Sequence, residues 1–143
     1  MGRAYELIRA DAQQHLAFVA KNLGFEYCRF HGLFHDDMAV AVRQESGEIA
    51  YQWNHVDKVF DFLRSVGIRP FVELGPMPGA LASGPTTFFH WRMNVTPPAR
   101  WEEWGHLVEA FVWHCVDRYG IDEVRQWYFE VWNEPNQIGR AHV

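Results

Sequence analysis

Apolar residues along this chain recur at two spacings, one typical of helices and one typical of strands. Three segments repeat them every three or four positions, which predicts amphipathic helices at 4–23, 54–66 and 101–119. Three shorter segments are rich in aromatic and β-branched residues, which predicts strands at 25–30, 68–74 and 127–132. Helix and strand therefore alternate along the chain.

This alternation is typical of proteins in which helices cover a parallel sheet. A glycine ends each predicted helix and a short turn leads into the next strand, whereas the loops that follow the first two strands are long. The asymmetry is typical of (β/α)8 barrels, which carry their active sites on the loops after the strands. A complete barrel needs about 200 residues or more, and this chain has 143. The predicted fold class is therefore α/β, as a partial (β/α)8 (TIM) barrel.

Two stretches interrupt the alternation. Residues 44–48 are polar, include a glycine and lie between apolar segments, which predicts a small hairpin inserted in a loop. The second stretch, 75–100, has five prolines and little periodicity. Loops of this length within a compact domain are usually functional or disordered. The aromatic residues Phe88, Phe89 and Trp91 favour an ordered loop.

The stretch 127–136 carries the strongest candidate chemistry. Aromatic and β-branched residues up to Trp132 predict a buried strand, and Pro135 ends it because proline cannot donate to a sheet ladder. Asn133 and Glu134 then lie at the carboxyl end of that strand, where barrel enzymes keep their catalytic groups. Apolar neighbours would raise the pKa of Glu134, as suits a general acid. The alternative is a solvated, inert glutamate on an ordinary turn.

Polar residues also follow the two earlier strands. His31 comes directly after the first, and Glu73 lies near the end of the second. His31, His35, Asp36 and Asp37 are of residue types that bind metals, but their spacing is that of a loop and no second cluster accompanies them, so no metal site is predicted. No nucleotide-binding motif is present, and no cofactor is predicted.

Composition excludes several function classes. The net charge is −5 and the basic residues are scattered, which argues against nucleic-acid binding. No apolar run is long enough for a membrane-spanning helix, and the first residues have no apolar signal core. Cys28 and Cys115 lie in apolar segments and are predicted to be buried free thiols. A cytoplasmic location is therefore expected, with secretion as the alternative if a segment before residue 1 carried a signal.

Four segments, taken together in this order, resemble family 39 of the glycoside hydrolases. They are 29–37, 70–75, 94–98 and 129–136, the last of which contains Trp-Asn-Glu-Pro. The resemblance is to the bacterial β-xylosidases, with the α-L-iduronidases as more distant relatives. It implies a clan A barrel, of which this chain covers roughly the first helix to the fourth strand.

The resemblance also implies roles for individual residues. It implies a retaining β-D-xylosidase that releases xylose from xylo-oligosaccharides, with Glu134 as the general acid/base. It suggests that Asn133 hydrogen-bonds the sugar 2-hydroxyl and that His31 lines the subsite for the terminal xylose. Phe88, Phe89 and Trp91 are candidates either for stacking on a sugar or for packing within their loop.

The nucleophile is expected at the end of a seventh strand that this chain does not include. Glu73 and Glu130 are weak candidates for that role, so the 143-residue chain by itself is expected to be inactive. The alternatives are an α-L-iduronidase, another clan A β-glycosidase, or an inert half-barrel that only binds carbohydrate.

The expected domain organisation is a fragment of a catalytic barrel at 1–137, followed by a non-native tail at 138–143. That tail resembles the translation of a sequencing adapter more than it resembles the family. Unpaired strand edges and apolar faces predict poor solubility for such a partial barrel.

Overall fold

The computed structural model describes residues 2–134, so the predicted tail at 138–143 lies outside the described residues. A central sheet of three parallel strands runs in the order β1 (Tyr27–Phe30), β4 (Arg69–Glu73), β7 (Tyr128–Glu130). The helices α1 (Ala10–Leu23), α2 (Asn54–Ser65) and α3 (Trp101–Tyr119) alternate with these strands along the chain. The predicted α/β fold, a partial barrel with parallel neighbouring strands, is confirmed.

Two small antiparallel hairpins decorate the loops that follow the sheet strands. The first pairs β2 (Ala41–Arg43) with β3 (Ile49–Tyr51), as the polar centre at 44–48 predicted. The second pairs β5 (Thr87–Phe88) with β6 (Met93–Asn94) inside the long loop. This second hairpin was not predicted, because two-residue strands are too short to show a periodicity.

Helices α2 and α3 bury their apolar faces in the hydrophobic core, where α2 packs against β4 and the two helices meet each other. The buried residues are Val56, Val59, Phe60 and Leu63 in α2 and Leu107, Phe111 and Cys115 in α3. The ring of Phe60 meets Phe111 at 6.1 Å between centroids and Trp127 at 5.3 Å. Cys28 and Cys115 are buried and free, as predicted.

The predicted helix 4–23 is interrupted. A 3-10 helix spans Ala4–Ile8, Arg9 is extended with ψ 137°, and α1 starts at Ala10. The Ala4 N–H donates to the His31 carbonyl at 2.7 Å, and Ala4 and Leu7 are fully buried. These contacts hold the 3-10 helix against the end of β1. The direction of this helix is therefore set by tertiary contacts rather than by the helical spacing of its apolar residues.

The helices that precede β4 and β7 have ends set by backbone contacts. Asn54 is the first residue of α2, and Trp53 stands before it without a side-chain capping bond. Residues Ile121–Val124 form a one-turn helix, α4, in the short connection before β7. The backbone N–H groups of Val124 and Arg125 bond the carbonyls of Gly120 and Ile121, which gives this segment its helical pattern.

The prediction of a buried strand at 127–132 was wrong in burial and in length. The strand is Tyr128–Glu130; Tyr128 is 55% exposed, and Val131 beyond its end is 63% exposed. The reason is its position, because within residues 2–134 β7 pairs with β4 alone and is an edge strand. The other predicted sheet strands are present but shorter, at Tyr27–Phe30 and Arg69–Glu73.

No helix within residues 2–134 combines the length and apolar character that a membrane crossing requires.

Candidate active site

A cleft of about 520 Å³ opens at the carboxyl ends of β1 and β7. The first residues of the described chain, two strand ends and the β5–β6 hairpin surround it. Its lining residues are Gly2, Arg3, Glu6, Arg29, His31, Phe89, His90, Trp91, Met93, Asn133 and Glu134. The structure thus brings His31, Asn133 and Glu134, the three residues that the sequence analysis singled out, into one cleft.

Strand register explains why these groups meet. Phe30 pairs with Val72, and Val72 pairs with Phe129, so the residues that follow each of them are level across the sheet. Side chains alternate between the two faces of a strand. His31, Glu73 and Glu130 therefore form one row across the sheet, immediately below the cleft.

Glu134 lies on the cleft wall with an exposed side chain, and its backbone is left-handed with φ 46°. Left-handed backbone is uncommon for residues other than glycine and is enriched at functional sites. The apolar enclosure expected from Phe129 and Trp132 is not found within the described residues. The cause is again the exposed edge at β7, where Phe129 is itself exposed.

Arg29 fixes the orientation of Asn133. Its Nη2 donates to Asn133 Oδ1 at 2.7 Å, and its Nε donates to Glu130 Oε2 at 2.7 Å. A guanidinium has no acceptor, so the oxygen of the Asn133 amide must be the atom that faces it. Within residues 2–134 the NH2 group of Asn133 has no recorded partner, so it can donate to a molecule in the cleft.

The same guanidinium is part of a charged network. The hydrogen bond to Glu130 is the main reason that the pKa of Arg29 is raised above its ordinary value. Arg29 Nη2 also lies 3.5 Å from Glu73 Oε2. The Arg29 guanidinium thus contacts the carboxylates of Glu130 and Glu73. It also contacts the amide of Asn133, the residue predicted to bind the sugar.

His31 is held from behind by Glu73. The distance from His31 Nδ1 to Glu73 Oε2 is 2.5 Å, and the Glu73 side chain is only 2% exposed. Burial raises the pKa of the Glu73 carboxyl, and His31 and Arg29 partly offset that rise. Glu73 does not line the cleft, so the geometry gives no support to a role as nucleophile.

The β5–β6 hairpin forms an aromatic wall of the cleft. Phe89 and Trp91 both line it, and their ring planes are nearly parallel, 4° apart with centroids at 6.0 Å. Trp91 is fixed by the guanidinium of Arg3 at 5.2 Å and by the ring of His35 at 5.1 Å. Phe88 does not line the cleft and packs on Phe89 instead.

The polar side chains of the loop after His31 have hydrogen-bond partners within the protein. Asp37 Oδ2 accepts from Arg3 at 2.8 Å, and Asp36 Oδ1 accepts from the Gly79 N–H at 2.8 Å. The His35 ring accepts from the Asp37 N–H, which agrees with a turn-forming role. Over the described range 2–134, no three side chains of the metal-binding types come together.

Arg29 and Arg3 are site residues that the sequence patterns did not predict. For Arg29 a signal was available, because it lies in β1 two positions before His31, which directly follows the strand, and so points to the same face. For Arg3 no local signal exists. Its place in the cleft depends on the backbone pairing of Ala4 with His31.

Known proteins resemble this chain closely. A sequence profile of the glycosyl hydrolases family 39 matches residues 1–139. A β-xylosidase from Caldicellulosiruptor saccharolyticus is 49% identical over 129 residues, which are 90% of this chain and 26% of that protein. The crystal structure of a monomeric β-xylosidase from Caulobacter crescentus superposes with a TM-score of 0.91 and 43% identity, over 95% of this chain and 27% of that chain.

The α-L-iduronidase of Homo sapiens is more distant, with 33% identity over 129 residues, 88% of this chain and 18% of that protein. The chain spans about a quarter of the length of the two β-xylosidases.

Proposed function

The chain belongs to family 39 of the glycosyl hydrolases, as its motifs predicted, and we propose that it carries the acid/base half of the active site of a retaining β-D-xylosidase. The observation that carries the proposal is the meeting of Glu134, Asn133 and His31 in one cleft at the carboxyl ends of parallel strands. The substrates are xylo-oligosaccharides. The higher identity to a β-xylosidase than to an α-L-iduronidase supports xylose over iduronate.

Glu134 acts twice in this mechanism. It protonates the departing glycosidic oxygen in the first step, and in the second step it takes a proton from the water that releases the sugar. Its exposed position on the cleft wall suits exchange of that proton with solvent.

Retention needs a second carboxylate about 5 to 5.5 Å from Glu134, which attacks the anomeric carbon. Glu73 is buried behind His31, and Glu130 accepts a hydrogen bond from Arg29. Neither has a free carboxylate facing the cleft. The nucleophile is therefore assigned to a position outside residues 2–134.

The remaining cleft residues bind the sugar. Asn133 donates through its NH2 group to the 2-hydroxyl, because Arg29 already occupies its oxygen. His31 binds a hydroxyl of the terminal xylose. Phe89 and Trp91 line the same cleft and offer flat apolar faces, of the kind on which sugar rings stack.

The test places residues 2–134 in the frame of the Caulobacter crescentus β-xylosidase, replacing the segment that matches them. The expected result is hydrolysis of an aryl β-D-xyloside with retention, seen as release of β-xylose in the first minutes of an NMR time course. In the same chimera Glu134→Ala should lose this activity and regain part of it with azide, which attacks without needing a general base.

Two results would contradict the proposal. One is a folded chimera that cleaves an aryl α-L-iduronide and leaves the xyloside intact. The other is a Glu134→Ala chimera with unchanged kcat. The 143-residue chain by itself should be inactive toward either substrate.

A further inference from the structure

Glu73 is a buried carboxylate to which the proposed mechanism assigns no role. Its side chain is 2% exposed, and its Oε2 lies 2.5 Å from His31 Nδ1 and 3.5 Å from Arg29 Nη2. An isolated buried carboxylate is costly unless a charge or a hydrogen-bond donor faces it. Glu73 therefore has two polar partners, His31 and Arg29, although it does not line the cleft.

The surroundings of Glu73 leave its carboxylate little freedom. A methyl group at Gly75 would lie 3.3 Å from Glu73 Oε1, so the backbone after the strand closes off that oxygen. Glu130 is its cross-strand neighbour on β7, and Arg29 from β1 lies between the two carboxylates. The carboxylate is therefore packed in one place, with Oε2 directed at the His31 ring.

His31 is placed between this carboxylate and the cleft. Nδ1 faces Glu73, while the ring lines the cleft together with Asn133 and Glu134. Within residues 2–134 the structure records no hydrogen-bond partner for His31 Nε2. A neutral imidazole has one nitrogen that donates and one that accepts, and the group bound to the first decides the role of the second.

We propose that Glu73 is a positioning residue that holds the proton of His31 on Nδ1, so that Nε2 accepts a hydrogen bond from a hydroxyl of the terminal sugar. The inference rests on the proposed glycosidase function for its sugar ligand, and on the Glu73–His31 contact for its geometry. Glu73 touches no substrate and acts through His31. Its removal would free the imidazole to change tautomer and to turn away from the sugar.

Other charged groups face this pair. Arg29 and Glu130 lie beside Glu73 in the sheet, and Arg3, Glu6, His90 and Glu134 line the cleft around His31. Arg29 favours the ionised form of Glu73, which is the form that accepts from Nδ1–H. The opposite arrangement, a protonated Glu73 that donates to Nδ1, would place the imidazole proton on Nε2 and make His31 a donor to the sugar.

The first test is the tautomer of His31 in the chimera described above, read from long-range ¹H–¹⁵N spectra of the histidine rings at about pH 8, where an ordinary histidine is neutral. The expected spectrum shows His31 with its proton on Nδ1. Glu73→Leu should give the mixture found in free histidine, and Glu73→Gln, which still accepts through Oε1, should restore the Nδ1–H form. A wild-type chain with the proton on Nε2 would overturn the proposal.

A matched control exists on the helices. Asp57 Oδ1 lies 2.6 Å from His114 Nε2, in a pair of the same chemical type that lies outside the cleft. Asp57→Asn should shift the resonances of His114 and leave those of His31 unchanged. This control also assigns the two rings and shows that each substitution acts locally.

The second test is a double-mutant cycle on kcat/KM in the chimera described above. Glu73→Leu should lower kcat/KM about ten- to hundredfold, the usual range for one hydrogen bond to a charged group. In a His31→Asn background the same substitution should have almost no further effect, because Glu73 acts through the imidazole. Equal losses in both backgrounds would mean a purely structural role and would sink the inference.

The two tests separate two failures. An inactive chimera with the Nδ1–H tautomer intact would reject the proposed function and keep the positioning geometry. An active chimera with additive losses would keep the function and reject the positioning role. Glu73→Leu should leave the unfolding temperature of the chimera within a few degrees of the parent, so a large drop would assign the loss of activity to misfolding and reject the inference.

Discussion

Within residues 2–134, two carboxylate–histidine contacts are of nearly equal length, one at the carboxyl ends of the sheet strands and one between two helices. Glu73 and His31 are 2.5 Å apart at the carboxyl ends of β4 and β1. Asp57 and His114 are 2.6 Å apart and join α2 to α3 in the helix layer. Both pairs join a carboxylate oxygen to an imidazole nitrogen. They differ in what the rest of each histidine ring contacts.

The His114 ring contacts structural side chains and does not line the cleft. It stacks on Trp53 at 5.4 Å and 20° between planes, and Asp57 also lies 3.5 Å from Arg118. The His31 ring lines the cleft together with Asn133 and Glu134. The comparison teaches that a short carboxylate–histidine contact by itself does not indicate catalysis, and that the open side of the ring decides its use.

The largest expected effect tests the cleft side of the comparison. Glu134→Gln in the chimera should lower kcat for substrates with poor leaving groups about 10²- to 10⁴-fold, the usual contribution of a general acid/base. An activated aryl xyloside should lose less in its first step, since its leaving group needs no proton. Steady-state kinetics on both substrates measure this, and equal losses on the two would contradict the role.

The second-largest expected effect is a loss of stability, and it tests the helix layer that holds Asp57 and His114. Phe111→Ala should destabilise the fold by about 3 to 5 kcal/mol, because the removed ring is fully buried against Phe34 and Phe60 and leaves a cavity. Urea unfolding followed by tryptophan fluorescence measures the loss. Trp113→Ala, at an exposed position of the same helix, is the matched control and should cost less than about 1 kcal/mol.

The two pairs themselves give the third prediction. Glu73→Leu should lower kcat/KM in the chimera, whereas Asp57→Asn should leave kcat/KM unchanged and lower stability by about 1 kcal/mol or less, as expected for a partly exposed ion pair. Activity and unfolding temperature, measured on both variants, check the separation. A loss of activity in Asp57→Asn as large as that in Glu73→Leu would remove the distinction between the two regions.

The smallest effect concerns an ion pair that joins the β2–β3 hairpin to α3. Hydrogen bonds from Arg43 and then Arg100 lower the pKa of Glu103 from 4.5 to about 2. A carboxyl with a lowered pKa contributes stability that is present above its unfolded value of 4.5 and is lost as the pH falls from there through about 2. Stability should therefore fall more steeply below about pH 4.5 in the parent than in Glu103→Gln.

Thermal unfolding of the parent and Glu103→Gln across this pH range measures the difference. The two unfolding temperatures should differ most near neutral pH and converge toward pH 2. A gap of constant size at every pH would mean that Glu103 contributes through packing rather than through charge. Glu103→Gln should leave the kcat/KM of the chimera unchanged, because Glu103 lies in α3 and outside the cleft.

By itself the sequence determined the alternation of helix and strand, the apolar faces of α2 and α3, and the polar residues at the strand ends. These features depend on spacing along the chain, where a period of about 3.6 marks a helix and a period of two marks a strand. They were enough to predict the parallel α/β fold and to single out His31, Asn133 and Glu134. The family motif added the roles proposed for them.

The tertiary structure decided how those residues are held. Glu73 meets His31 across 42 positions and Arg29 meets Asn133 across 104, and both contacts depend on the register of paired strands, which no local pattern encodes. The same applies to the extended Arg9, which follows from the pairing of Ala4 with His31, and to the exposed β7, which follows from its place at the edge of the sheet. Local spacing fixes which face of a strand a side chain takes, and only pairing between strands fixes what that side chain touches.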